Sequence, residues 1–178
     1  MRCLYCGREM SGKISEMERE SGWHKRCVKA FFGTNTMPVL DLTEEGLLQL
    51  AVRMTGKGLT VPGVQKKLSL HLSQDPDCRL TIVDYPTGYI LKPQTSEYPY
   101  LPEYEDLVMR QAKIAGIRTV PHALIRMGSE NAYITRRIDR QIGHGQVQMY
   151  AMEDFCQLSG RLTEDKYKGS YERCSDLI

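Results

Sequence analysis

Residues 60–72, TVPGVQKKLSLHL, together with GYILKP at 88–93, decide how this chain is read. Leu68, Leu70 and Leu72 alternate with Lys67, Ser69 and His71, the period of a half-buried strand. RLTIV (79–83) and GYILK (88–92) continue the strand pattern, and DPD (75–77) and DYPTG (84–88) supply the turns. A loop rich in Pro and Tyr (93–102) then leads into a helix. Its apolar face is read as Tyr104, Leu107, Val108, Gln111 and Ala115, with Gly116 as its stop. PHALIRM (121–127) and NAYITRR (131–137) follow as a hairpin around Gly128, Ser129 and Glu130. The order is β-β-β-α-β-β, an α+β fold with one helix inserted in an antiparallel sheet.

On the N-terminal side, GTNTMPVLD (33–41) reads as a linker. Asp41 stands three residues before Glu44 as a capping-box-like start, and Leu47, Leu48, Ala51 and Met54 give a helical face that ends at Gly56 and Gly58. The expected division is a small module over 1–33, a linker and helix over 34–58, the sheet domain over 59–149, and a further segment over 150–178.

The element order is that of a protein-kinase small lobe. A turn of small residues lets backbone N–H groups approach phosphates. A lysine at the inner end of a strand neutralises phosphate charge, and a helix glutamate orients it through an ion pair. Gly63, Lys92 and Glu105 stand at those places. Glu103 and Asp106 share the first helical turns with Glu105, where any carboxylate favours the helix dipole.

Cys3-Leu-Tyr-Cys6 is followed, seventeen residues later, by His24-Lys-Arg-Cys27. Two close pairs of thiolate and imidazole ligands suit a tetrahedral zinc ion, and four filled positions imply a structural site. The GKISEMERESG stretch between the pairs is polar, so a segment this small needs a metal to hold its shape. Trp23, Phe31 and Phe32 are expected to pack this zinc-ribbon-like module onto its neighbour.

Composition narrows the function classes. Lys+Arg is 24 and Asp+Glu 22, a net charge of +2, which offers no broad basic field to nucleic acid or an anionic membrane. In the module, Arg2, Arg8, Lys25 and Arg26 are offset by Glu9, Glu16, Glu18 and Glu20, so direct nucleic-acid binding gains little support. No apolar run could span a bilayer and MRCLYCGREM has no signal-peptide core, so a cytoplasmic protein is expected. The six cysteines are then thiols or metal ligands rather than disulfides.

Taken together, TVPGVQKKLSL, YILKP, PEYEDLVMRQAKIAGI, AYITRRIDR, MEDFCQLSGRLTEDKY and the N-terminal CLYC…WHKRC resemble the HipA family, bacterial serine/threonine kinases that act as toxins of toxin–antitoxin pairs. The resemblance is closest to short members that begin with a small zinc-ribbon-like segment. It implies that Pro62, Gly63, Val64, Gln65, Lys66 and Lys67 form the loop over ATP phosphates. Lys92 would be the ATP-contacting lysine, Glu105 its helix partner, and Met152, Glu153 and Asp154 the segment near the adenine. Arg137, Asp139 and Arg140 match a core strand, where an ion-pair network is expected. Thr60 matches the family's autophosphorylated serine. A helix-turn-helix antitoxin and a separate protein supplying the usual N-terminal subdomain are implied as partners.

The family's catalytic loop, resembling H-x-x-D-x-H-x-K-N, has no counterpart after Tyr167, where the residues are KGSYERCSDLI. The expectation is a nucleotide-binding portion of such a kinase. It would be inactive alone, hold ATP/Mg weakly if at all, and self-associate through the exposed lobe interface around MYAMEDFCQL. The alternative is a non-enzymatic zinc-containing module that binds a protein partner or nucleic acid.

Overall fold

The computed structural model describes residues 1–40, 67–73, 78–82, 88–143, 146–166 and 168–177. The helix expected after Asp41, Thr60 and the loop residues Pro62, Gly63, Val64, Gln65 and Lys66 lie outside the described residues. The chain divides into two compact units, Met1–Ile138 and Asp139–Ile178.

The first unit opens with helices α1 (Glu16–Ser21) and α2 (Lys25–Phe32). Where a ribbon was expected, the regular pairing among the described residues is one bridge between Arg2 and Glu9. The polar stretch between the ligand pairs is largely helix. Ser15 and Glu18 form a reciprocal capping box that starts α1, and Gly22 ends it in the left-handed region. The Glu18 carboxylate also accepts the Lys25 N–H at 3.0 Å, which ties the first turn of α1 to the start of α2.

The sheet follows as β1 (Val39–Leu40), β2 (Leu68–Leu72), β3 (Arg79–Ile82), β4 (Tyr89–Lys92), β5 (His122–Met127) and β6 (Glu130–Arg136), in the spatial order β1-β3-β2-β4-β6-β5. Helix α3 (Leu101–Ile114) is inserted between β4 and β5. All pairings are antiparallel except β1 with β3, which run parallel. Val39 and Leu40 fall in the stretch whose sequence reads as a linker. A two-residue strand is too short for its alternation to register in the sequence.

Strand alternation divides the sheet into two faces. Leu68, Leu70, Leu80, Tyr89, Leu91, Ala123, Ile125, Ala132 and Ile134 are buried in one core with Cys3, Met10, Trp23, Cys27, Val28, Phe31 and Phe32. The expected aromatic packing is present. The Phe31 and Phe32 rings lie 5.8 and 5.5 Å from Tyr89, and Tyr5 stacks on Trp23 at 5.4 Å. Burying a large aromatic side chain is worth about 1.5–3 kcal/mol, so these rings anchor the N-terminal segment on the sheet. On the alternate positions, Lys92 pairs with Tyr133, and Tyr133 with Leu124.

The N-terminal segment also closes the open edge of β5. Leu124 N–H donates to the Leu4 carbonyl at 3.3 Å, and the Trp23 indole N–H donates to the Leu124 carbonyl at 3.0 Å. Both groups of Leu124 are therefore satisfied by the first 23 residues rather than by another strand.

Helix α3 corrects the sequence reading. Tyr104, Leu107 and Val108, taken as its core face, are 59%, 49% and 60% exposed, and Gln111 and Ala115 are exposed too. The helix buries Pro102 and Asp106 instead. A buried carboxylate with good partners has displaced the apolar stripe as the inward face.

The second unit holds a hairpin, β7 (Arg140–Gly143) with β8 (Gln146–Met149), that the sequence reading did not foresee. Two short helices follow, α4 (Phe155–Leu158) and α5 (Tyr171–Ser175), separated by a 3-10 turn at Thr163–Asp165. Among the described residues no helix is long and apolar enough to cross a membrane.

Candidate nucleotide and metal sites

Lys92 is the last residue of β4, and its ammonium is ion-paired with the Glu105 carboxylate on α3. Their side chains are 21% and 26% exposed, so the pair is half-open to solvent. The ammonium also lies 5.3 Å from the centre of the Tyr133 ring. Tyr133 is fully buried, and burial, with the Glu105 and Asp106 carboxylates adding to it, pushes its phenol well above the ordinary tyrosine range. The phenol stays protonated beside the pair.

The three acids of PEYED have three separate tasks. Glu103 accepts a hydrogen bond from Asn131 Nδ2 at 2.8 Å, Glu105 pairs with Lys92, and Asp106 turns inward. Asp106 Oδ2 accepts from Arg110 Nε at 2.6 Å, and Asp106 Oδ1 lies 2.9 Å from His122 Nδ1. The remaining arm of Arg110 donates to the carbonyls of Leu4 and Tyr5 at 3.1 and 3.0 Å. One guanidinium thus joins the buried carboxylate to the backbone between Cys3 and Cys6. The sequence reading missed this cluster, although Asp106 and Arg110 stand four apart, the spacing of a helical acid–base pair.

The four expected metal ligands come together. The ligating atoms of Cys3, Cys6, His24 and Cys27 all lie within 4.8 Å of one another, with Cys3 and Cys27 buried. His24 Nδ1 is 3.4 Å from Cys6 Sγ and 3.7 Å from Cys27 Sγ. Tetrahedral zinc with bonds of about 2.0–2.3 Å needs ligand atoms about 3.5–4 Å apart, so the cluster suits a small four-coordinate metal ion. The thiols already differ. Burial raises Cys6, but hydrogen bonds from the Arg8 backbone and from Cys27, Cys3 and His24 outweigh it and bring it down to about 7. Burial and the neighbouring Cys3 push Cys27 up to about 12. Gly7 completes the knuckle at φ +70°, and a Cβ there would stand 2.8 Å from Arg110 Nη1.

Of the other predicted nucleotide-site residues, Lys67, Met152, Glu153 and Asp154 are among those described. Lys67 lies exposed just before β2. Met152 and Glu153 are exposed and precede α4 in the second unit. Asp154 caps α4 by accepting from Gln157 N–H at 2.9 Å, and it pairs with Lys166 at 2.7 Å. The Lys166 ammonium, with the Gln157 N–H, holds its carboxyl below the usual range. Asp139 and Arg140 pair at 2.7 Å, but they belong to the second unit, and the strand expected to hold them with Arg137 ends at Arg136.

Comparison with known proteins adds the family. The model of the HipA-like C-terminal domain matches residues 59–178. A Haemophilus influenzae protein named "Putative kinase" is 32% identical over 89 residues, which cover 47% of this chain and 25% of the relative. A HipA toxin of Shewanella oneidensis MR-1, solved with HipB and its operator DNA, aligns with 68% of this chain and 32% of its own, at 21% identity and a TM-score of 0.44. The chain thus spans a quarter of the length of the curated relative. With the greater part of its residues matched by that family, the chain belongs to the HipA-like C-terminal domain proteins.

Proposed function

We propose that this chain is the nucleotide-binding small lobe of a HipA-like serine/threonine kinase, carrying a structural zinc knuckle at its N-terminus. The observation that carries the reading is the Lys92–Glu105 pair, which links the end of β4 to α3 and stays half-open to solvent. A lysine so held presents a fixed positive charge to the α- and β-phosphates of ATP. Glu105 sets its direction, and the buried, protonated Tyr133 supports it from the sheet without competing as an anion. The loop Pro62–Lys67 would cover the phosphates, and Met152 to Asp154 would border the adenine. The 178 residues contain no H-x-x-D-x-H-x-K-N loop, so the reading assigns them grip rather than phosphoryl transfer. A helix-turn-helix antitoxin belongs to the same reading as a partner of the full-length protein.

Titration of a fluorescent ATP analogue tests this. Lys92→Ala should weaken binding about tenfold or more, the effect of one lost charge-assisted contact. Unchanged affinity would refute the nucleotide site. For the metal, elemental analysis should find one zinc per chain, with none after Cys3→Ser.

A further inference from the structure

A groove of about 930 Å³ lies against the knuckle, the C-terminal end of α3 and the segment that follows it. Arg8 and Arg26 line it from the N-terminal segment, Arg110 and Lys113 from α3, and Arg118 from the loop beyond, with no carboxylate among its lining residues. Arg110 is engaged by Asp106 and the two knuckle carbonyls. Arg8, Arg26, Lys113 and Arg118 are exposed and have no ion-pair partner among the described residues. Unpaired like charges gathered in one concavity repel each other, and an anion relieves that cost.

The sequence hides this field because acids and bases alternate along the module. Folding separates them. Glu16 and Glu20 line a different groove, with Met17 and Met37. Glu18 is consumed by the Ser15 and Lys25 backbone N–H groups. Glu9 is not among the residues that line the groove. What remains on the groove side is positive.

Two isoleucines narrow the class of occupant. Ile114 is 87% exposed and Ile117 61% exposed, and both line the groove beside Lys113 and Arg118. A phosphate backbone would neutralise the cations and leave these side chains wet. A peptide bearing carboxylates and apolar side chains covers both, since apolar contact supplies affinity and opposite charge supplies steering and register. We propose that this groove docks a partner protein through a short segment in which acidic and large apolar side chains are interleaved. The proposal is independent of the nucleotide site.

Fluorescence anisotropy of a labelled amphipathic peptide of Glu and Leu, titrated with the intact chain, tests it. Binding should weaken about tenfold or more in the double variant Lys113→Glu, Arg118→Glu, and about fivefold in Ile114→Ser. Matched peptides with Gln for Glu, or Ser for Leu, should each bind about tenfold more weakly. The substituted residues are all exposed, so an unchanged Trp23 emission spectrum certifies the fold of each variant. A labelled DNA duplex forms the second arm. Duplex binding lost in the double variant, with the Glu/Leu peptide not bound, would replace the protein segment by nucleic acid. Absent peptide binding, or binding indifferent to the double variant, would overturn the proposal.

Discussion

The Lys92–Glu105 pair and the Asp106–Arg110–His122 cluster are built from adjacent carboxylates of α3, yet they occupy opposite environments. The Glu105 side chain keeps 26% of its surface in solvent, whereas that of Asp106 keeps 7%. Exposed pairs contribute little to stability because water competes for each charge. Buried carboxylates hold their partners firmly, since losing one leaves desolvated polar groups without compensation. The half-open pair therefore leaves the held ammonium accessible from solvent, and the sealed cluster fixes the helix that carries it.

The contrast can be broken at its strong side first. Asp106→Ala should cost about 3 kcal/mol in urea unfolding, because it strands His122 and the inner arm of Arg110. A loss below about 1 kcal/mol would mean that the cluster is not structural. Metal removal comes next. Chelation, or Cys27→Ser, should shift the emission of Trp23, the chain's one tryptophan, to the red while amides of β4 and β6 stay protected from exchange. Simultaneous loss of both signals would show one cooperative unit instead. Glu105→Gln should move stability by no more than about 1 kcal/mol while weakening ATP-analogue binding as Lys92→Ala does. Leu107→Ser should be the quietest, within about 0.5 kcal/mol, because the side chain is already half in water.

The same two regions mark what could be read in advance. The pairing of Lys92 with Glu105 was legible because it follows from element order, which strand alternation and the helix pattern reveal. Cys3, Cys6, His24 and Cys27 were legible because ligand spacing is local chemistry. The inward face of α3 was not. Periodicity weighs Leu107 and Val108 above any acid, and only tertiary contact with His122, sixteen residues away, makes Asp106 the buried position. Charge segregation around the groove is hidden for a similar reason. The neutralising acids of the module are adjacent in sequence and remote in purpose. β7 escaped because RQIG carries one apolar residue and no alternation, and β8 because the alternation of QVQM lasts only four residues.

The closure of β5 by Leu4 and Trp23 has a consequence for handling this protein. If the knuckle loosens when its metal is stripped, Leu124 presents a bare amide and carbonyl on an otherwise well-ordered strand. That is a template for a second molecule to add itself, edge to edge. The metal ligands would then act as a solubility device. Chelator-treated stocks should become turbid with a concentration-dependent lag while zinc-replete stocks stay clear, so purification on chelating resins would select against the native form.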